Sequence, residues 1–84
     1  MAGGKVRVAI PTKEEGERIS PIIAQEFAKA GAGCVRVEAV PFGGVGTEAG
    51  ISGDAARQVA ASLYEYGIVM VGLRPGVWRF VVKR

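Results

Sequence analysis

The glycine-rich segment from Phe42 to Gly53 is the part of this chain whose composition best suits ligand binding. Five of its twelve residues are glycine, and it lies between a predicted strand and a predicted helix. Backbone amides that small residues leave accessible, together with the positive end of the following helix, can hold an anion. The alternative is a flexible connecting loop. The predicted ligand-binding residues of the segment are Gly43, Gly44, Gly46, Thr47 and Gly50.

Two hydroxyl groups are candidates for the same site. Thr12 follows the first predicted strand, and Ser20 precedes a proline at a predicted helix start. In parallel α/β units, the loops after the strands meet at the carboxyl edge of the sheet, where ligands bind. We therefore expect Thr12, Ser20 and Glu48 to face one crevice, and solvated loops are the alternative. The acidic residues of these loops are Glu14, Glu15, Glu17 and Glu48.

Residue usage excludes several classes of catalytic and metal site. The chain has 84 residues, no histidine and one cysteine, Cys34. An internal disulfide, a zinc site of Cys/His type and a Ser-His-Asp or Cys-His catalytic device are therefore impossible within one chain. No acidic pair is spaced as an acid and a base, and no lysine follows the glycines as in a Walker motif. We expect a non-enzymatic protein whose metal ligands, if any, are unknown.

Basic residues offer a second candidate surface. The chain has 11 Lys and Arg against 8 Asp and Glu, a formal net charge of +3. If two helices cover one face of the sheet, the other face is open and positively charged, which suits nucleic acid. An ordinary solvated sheet face is the alternative. The predicted nucleic-acid-binding residues are Lys5, Arg7, Arg36, Arg79 and Lys83.

Two kinds of pattern predict strands: apolar residues that alternate with polar or small ones, and one run that is apolar throughout. Val6, Val8 and Ile10 alternate with polar or small residues and are predicted to face the core. The run from Ile68 to Leu73 is apolar throughout, which is typical of a central strand covered on both faces. A further strand is predicted from Cys34 to Pro41, and in the last strand the predicted core residues are Trp78, Phe80 and Val82.

Helix signals occur twice. Ser20 followed by Pro21 predicts a helix start, and Gly31 predicts its end, which leaves the residues from Thr12 to Arg18 as a charged loop. The second helix is predicted from Asp54 to Tyr66, where an apolar stripe is followed by Gly67. Its predicted stripe is Ala55, Val59, Leu63 and Tyr66.

These elements predict a single α/β domain over residues 1–84 with the order β-α-β-α-β-β. We expect a four-stranded mixed sheet with two helices on one face. A turn at residues 74–76 makes the last two strands an antiparallel hairpin. The last strand is a candidate edge strand, which allows a homodimer. No signal peptide or membrane span is recognisable, so the prediction is a cytoplasmic protein without a membrane partner.

Several short motifs resemble the dinitrogenase iron-molybdenum cofactor biosynthesis family, the NifX/NafY-like group. They are Val-Ala-Ile-Pro-Thr at residues 8–12 and Ile-Ser-Pro at 19–21. A glycine-rich loop, an alanine-rich helix, an apolar strand and a Gly-x-x-Pro turn then follow in order at 44–76. The resemblance implies a ribonuclease-H-like fold and a carrier that holds a metal cluster. Ile-Ile-Ala stands at 22–24 where the family usually has His-Phe-Gly, and the family's histidines are absent.

The predicted order of elements also resembles the topology of Alba-type chromatin proteins and of the C-terminal domain of translation initiation factor 3. That resemblance is of topology alone, and a shared fold does not establish a shared function. Two functions therefore follow from the sequence. The first is a carrier of an anion or metal cluster at the glycine-rich segment, and the alternative is a nucleic-acid-binding module that uses the basic sheet face.

Overall fold

The structure, a computed structural model, describes residues 7–32, 36–39, 45–48 and 51–84. Its elements, in chain order, are β1 (Val8–Ala9), α1 (Lys13–Lys29), β2 (Arg36–Ala39), β3 (Val45–Glu48), α2 (Gly53–Glu65), β4 (Ile68–Arg74) and β5 (Val77–Lys83). The predicted small α/β fold with two helices is confirmed. Strand β3 is an addition, since it lies inside the segment predicted to be a loop.

The sheet has five strands, and every pairing among the described residues is antiparallel. Strand β5 lies at the centre. Strand β4 pairs along one of its edges, and β1 and β3 follow one another along the other edge. Strand β2 pairs with the far side of β3. The predicted β4–β5 hairpin is confirmed. The predicted four-stranded mixed sheet is not found, because β2 and β3 form a second hairpin that adds a strand.

Strand β4 is an edge strand, whereas the sequence predicts a central one. It pairs only with β5 in the described part of the chain, and Val71 and Leu73 keep 38% and 50% of their surface exposed. The prediction fails because a uniformly apolar run shows that neither side of a strand carries charge. It does not show that both sides are covered.

Strand β1 is turned over relative to the prediction. Ala9 pairs with Val82, which is buried, whereas Val8 pairs with Lys83 on the opposite face. Val8 and Ile10 each keep 48% of their surface exposed. The third residue of the predicted core-facing set, Val6, lies outside the described residues. Alternation identifies which side chains share a face, and the packing of other elements decides which face is covered.

Helix α1 begins eight residues earlier than predicted, with Thr12 instead of Ser20 as its N-cap. The Thr12 hydroxyl accepts a hydrogen bond from the Glu15 amide (3.2 Å), and a Glu15 carboxylate oxygen accepts one from the Thr12 amide (3.0 Å). This reciprocal capping box satisfies two amides that the first turn leaves without helical partners. Pro21 lies inside the helix on its exposed side. The helix ends at Gly31, as predicted, with φ of +89°.

Helix α2 agrees with the prediction to within one residue at each end. The Ser52 hydroxyl caps its start by accepting a hydrogen bond from the Ala55 amide (3.1 Å). Gly67 follows the helix with φ of +81°, a conformation that glycine adopts without a steric penalty. Tyr66, placed in the apolar stripe by the sequence, is 56% exposed.

One hydrophobic core lies between the two helices and one face of the sheet. Phe27 joins these layers, since its ring centre lies 5.5 Å from that of Trp78 and 6.1 Å from that of Phe80. Both helices contribute to the same cluster, which confirms their predicted position on one face. The buried core residues are Ile19, Ile23, Phe27, Val59, Leu63, Ile68, Phe80 and Val82.

The opposite face of the sheet, here called the open face, is covered by neither helix. Alternation along β5 places Val77, Arg79, Val81 and Lys83 on it, away from Phe80 and its core neighbours. The residues paired with them extend this surface across the sheet. From β1 and β4 these are Val8, Val69, Val71 and Arg74.

Candidate functional site

Thr12 and Ser20, the two predicted ligand-binding hydroxyls, both serve helix α1. Thr12 caps the first turn, and the Ser20 hydroxyl donates a hydrogen bond to the Gly16 carbonyl (2.6 Å). Two turns of helix separate them, about 12 Å along the axis. The structure therefore does not bring these hydroxyls together as one site.

Gly46 and Thr47, the described residues of the predicted glycine site, belong to strand β3. Gly46 pairs with Glu38 on one side and Arg79 on the other, and Thr47 pairs with Val37 and Trp78. Because β3 has a partner strand on both sides, its amides are engaged in the sheet instead of being free to cradle an anion. The other candidates, Gly43, Gly44, Gly50 and Cys34, lie outside the described residues.

The predicted shared crevice depends on a parallel sheet, and this sheet is antiparallel. Strands β1 and β3 run in the same direction along one edge of β5, one after the other. Strand β1 ends opposite Val82 of β5 and β3 ends opposite Val77, so the chain leaves the two strands about 17 Å apart along the sheet. The starts of α1 and α2 therefore lie at different places along the sheet.

The acidic loop residue Glu15 has a structural role. Its carboxylate accepts two hydrogen bonds from the Arg84 guanidinium, at 2.7 and 2.8 Å. The bonds from Arg84, joined by the one from the Thr12 amide, lower the pKa of Glu15 to about 2. A carboxylate held ionised by two partners is a poor general acid or base near neutral pH.

The five predicted nucleic-acid-binding residues do not share one face. Arg79 and Lys83 lie on the open face, and the β2–β3 register places Arg36 there, directly opposite Glu48. Arg7 lies two residues before Ala9, so it shares with Ala9 the side of the sheet that faces the helices. Lys5 lies outside the described residues. Since β3 was not predicted, its acidic residue was not counted on this face.

Arg79 occupies the middle of the open face. It pairs with Val71 on one side and with Gly46 on the other. Its Nε–H is buried and has no hydrogen-bond partner in the described part of the chain. Leaving a buried donor unsatisfied costs about 1 to 3 kcal/mol. No sequence signal distinguishes this arginine from other strand arginines, because its surroundings depend on the strand order.

Lys83 lies at the end of the same row, where its ammonium is 3.6 Å from the centre of the Tyr64 ring. A cation over an aromatic face is attracted by the ring's electron density, and at a partly exposed site this contributes about 0.5 to 1 kcal/mol. Lys83 is thus engaged with α2, and Arg79 is the more central of these two cations of β5.

An open groove lies between the two helices. Its volume is about 410 Å³, and its lining is polar. Glu26 is buried at its base and pairs with the Lys29 ammonium (3.2 Å), so its carboxylate already has a cationic partner. The lining residues are Glu26, Lys29, Ser62, Glu65 and Tyr66.

Within the described ranges, no group of three or more histidine, cysteine, aspartate or glutamate side chains is arranged to hold a metal ion. No helix among these residues is both long and apolar enough to cross a membrane. Comparison with known protein families, with curated proteins and with solved structures finds no match to this chain. The resemblance to the cofactor biosynthesis family therefore stays a prediction from short motifs.

Proposed function

We propose that this chain is a non-enzymatic binding module that docks part of another protein on the open face of its sheet. The single observation that carries the proposal is the position of Arg79. Arg79 lies between Val71 and Gly46, and its buried Nε–H has no partner among the described residues. An acceptor that forms a hydrogen bond with the guanidinium supplies the partner that these residues do not provide.

The rest of the open face indicates the chemistry of that partner. Aliphatic side chains with one central arginine resemble the composition of protein interfaces, in which arginine is enriched and lysine is depleted. We therefore expect a segment with apolar side chains flanking an aspartate or glutamate. The carboxylate would form a charge-assisted pair with Arg79, while the apolar groups cover Val71 and Val81.

The experiment is selection of binders from a random-peptide phage library, followed by affinity measurement with a synthetic peptide of the enriched sequence. R79Q should weaken binding about tenfold to a hundredfold, because it removes a hydrogen bond to a charged group. R57Q, which removes an exposed arginine from α2, is the matched control and should leave affinity unchanged. Enriched peptides without a carboxylate, or equal effects of the two variants, would contradict the proposal.

Nucleic acid is the second candidate, because the charged residues that β4 and β5 place on the open face, Arg74, Arg79 and Lys83, are all basic. The same variants test it with a fluorescent single-stranded oligonucleotide at several salt concentrations. A logarithmic affinity that falls linearly with the logarithm of salt, and a shallower slope for R79Q, would assign the face to phosphate binding. Undetectable binding at low salt would eliminate this candidate.

A further inference from the structure

Strand β4 has a free edge whose backbone groups point out of the sheet. The Lys83 amide donates to the Gly67 carbonyl (2.8 Å), which identifies that pair as hydrogen-bonded in the β4–β5 register. Hydrogen-bonded and non-hydrogen-bonded pairs alternate along an antiparallel ladder. The amides and carbonyls of Ile68, Met70 and Gly72 therefore face away from β5, where no described strand meets them.

This edge lacks the features that usually protect edge strands. Charges, prolines and bulges normally prevent an edge from pairing with another chain. From Ile68 to Leu73 the strand has neither a charge nor a proline, and its irregularity lies at its far end, between Gly72 and Arg74. An extended chain is the only partner that satisfies a row of outward amides and carbonyls.

We infer that the occupant of this edge is β4 of a second copy of the chain, paired antiparallel about a two-fold axis at Met70. That register uses all the outward groups, because Ile68 of each copy lies opposite Gly72 of the other. The axis is perpendicular to the sheet, so the two sheets become continuous and the open faces lie side by side. The inference does not depend on ligand binding at the open face.

Charge complementarity favours a second copy over an unrelated strand. In this pairing the end of β4 that carries Arg74 approaches the start of β4 in the other copy, beside the carboxyl end of α2 and its exposed capping residue Tyr66. Glu65 is the last residue of that helix, and its last turn contains no basic residue. A helix carboxyl end, a carboxylate and an exposed aromatic ring all attract a cation. Each copy thus carries both halves of the contact, Arg74 on β4 and the carboxyl end of α2, and two-fold pairing makes it twice.

The test is sedimentation velocity over a dilution series, without any ligand. The wild-type chain should shift with concentration toward twice the 8.8 kDa of one chain. V71K should weaken dimerisation about tenfold or more, because two-fold pairing brings the two introduced lysines close together. V8K, the same change on the opposite edge of the sheet, should have no effect. Mixing V71K with V71E should restore a dimer.

Hydrogen exchange of the wild-type chain provides a readout that needs no variant. The Met70 and Gly72 amides should become protected as concentration rises, whereas the Val69 and Val71 amides, which bond to β5, should be protected throughout. A chain that stays monomeric at its highest soluble concentration would overturn the inference. So would a dimer that V8K weakens and V71K does not. R79Q should leave the dimer intact, which separates this result from a failure of the proposed function.

Discussion

Glu15 connects the start of α1 to the end of the sheet. Its carboxylate accepts hydrogen bonds from the Arg84 guanidinium and from the Thr12 amide, so one side chain caps the helix and also receives a cation from beyond β5. Both partners favour the ionised carboxylate, and they outweigh the opposing effect of partial desolvation on its pKa. The ion pair is partly exposed, so salt and solvent weaken it.

The lowered pKa of Glu15 predicts a stability effect confined to acid pH. Its pKa is about 2 in the folded state and 4.5 in the absence of these contacts. The contribution of Glu15 is therefore complete above about pH 4.5 and is lost as the pH falls toward 2. We expect E15Q to lower the denaturation midpoint near neutral pH, with the difference from wild type closing between pH 4.5 and 2.

Denaturant unfolding of both proteins at a series of pH values measures this difference, and carbonyl NMR should place the Glu15 midpoint near 2. E17Q, which removes a neighbouring carboxylate of the same helix, serves as the control because Glu17 has no comparable partners among the described residues. A difference between E15Q and wild type that persists unchanged down to pH 2 would show that Glu15 does not act through its charge.

At the scale of elements, α1 shows how two start signals compete. Ser20-Pro21 and Thr12 with Glu15 three residues later are both N-terminal patterns, and the sequence alone does not rank them. The capping box prevails in the structure because an earlier start adds two turns to the helix. It also brings Ile19 into the core. Helix α2 was predicted well because its cap, apolar stripe and terminal glycine all indicate one segment.

The true start of α1 predicts different effects for two hydroxyl deletions. T12A removes the cap and should lower the free energy of unfolding by about 1 kcal/mol. S20A removes only a mid-helix bond to the Gly16 carbonyl, and it should change stability by about 0.5 kcal/mol or less. Urea denaturation measures both. If S20A were the more destabilising variant, the helix would begin where the sequence first suggested.

Strand β3 was missed because glycine disfavours strands, yet Gly46 is buried between two partner strands. Sheet pairing outweighs an intrinsic preference of about 1 kcal/mol. Missing this strand also affected the candidate site. Once β3 is counted, Gly46 and Thr47 belong to the sheet, and acidic register positions join the basic ones on the open face. Propensity therefore gives the wrong role for Gly46 and Thr47, which are strand residues.

At the scale of the whole molecule, alternation predicted which side chains share a face. It could not predict which face the helices cover. The prediction that Trp78, Phe80 and Val82 face the core is confirmed, since Phe80 and Val82 are buried and Trp78 packs against them. The open face is predicted to be basic, but on β1, β4 and β5 its valines outnumber its basic residues. That difference arises because strand order, which the sequence does not specify, decides which residues become neighbours.

The core predicts that the whole fold depends on Phe27. Its ring packs against Trp78 and Phe80 and is completely buried, so it joins α1 to the sheet. F27A leaves a cavity and should cost about 3 to 5 kcal/mol. Because a domain of this size has a total stability of about 4 to 12 kcal/mol, that loss is a large fraction of the whole.

F27L keeps most of the volume and should cost only about 1.5 kcal/mol. Urea unfolding of the two variants, followed by the fluorescence of Trp78, separates a packing effect from a general intolerance of substitution. F27A should also weaken the packing of both α1 and the sheet, since the Phe27 ring belongs to the helix and contacts the sheet. If F27A cost no more than F27L, the helix–sheet contact would not depend on this ring, and the core would have to be held mainly by the α1–α2 interface.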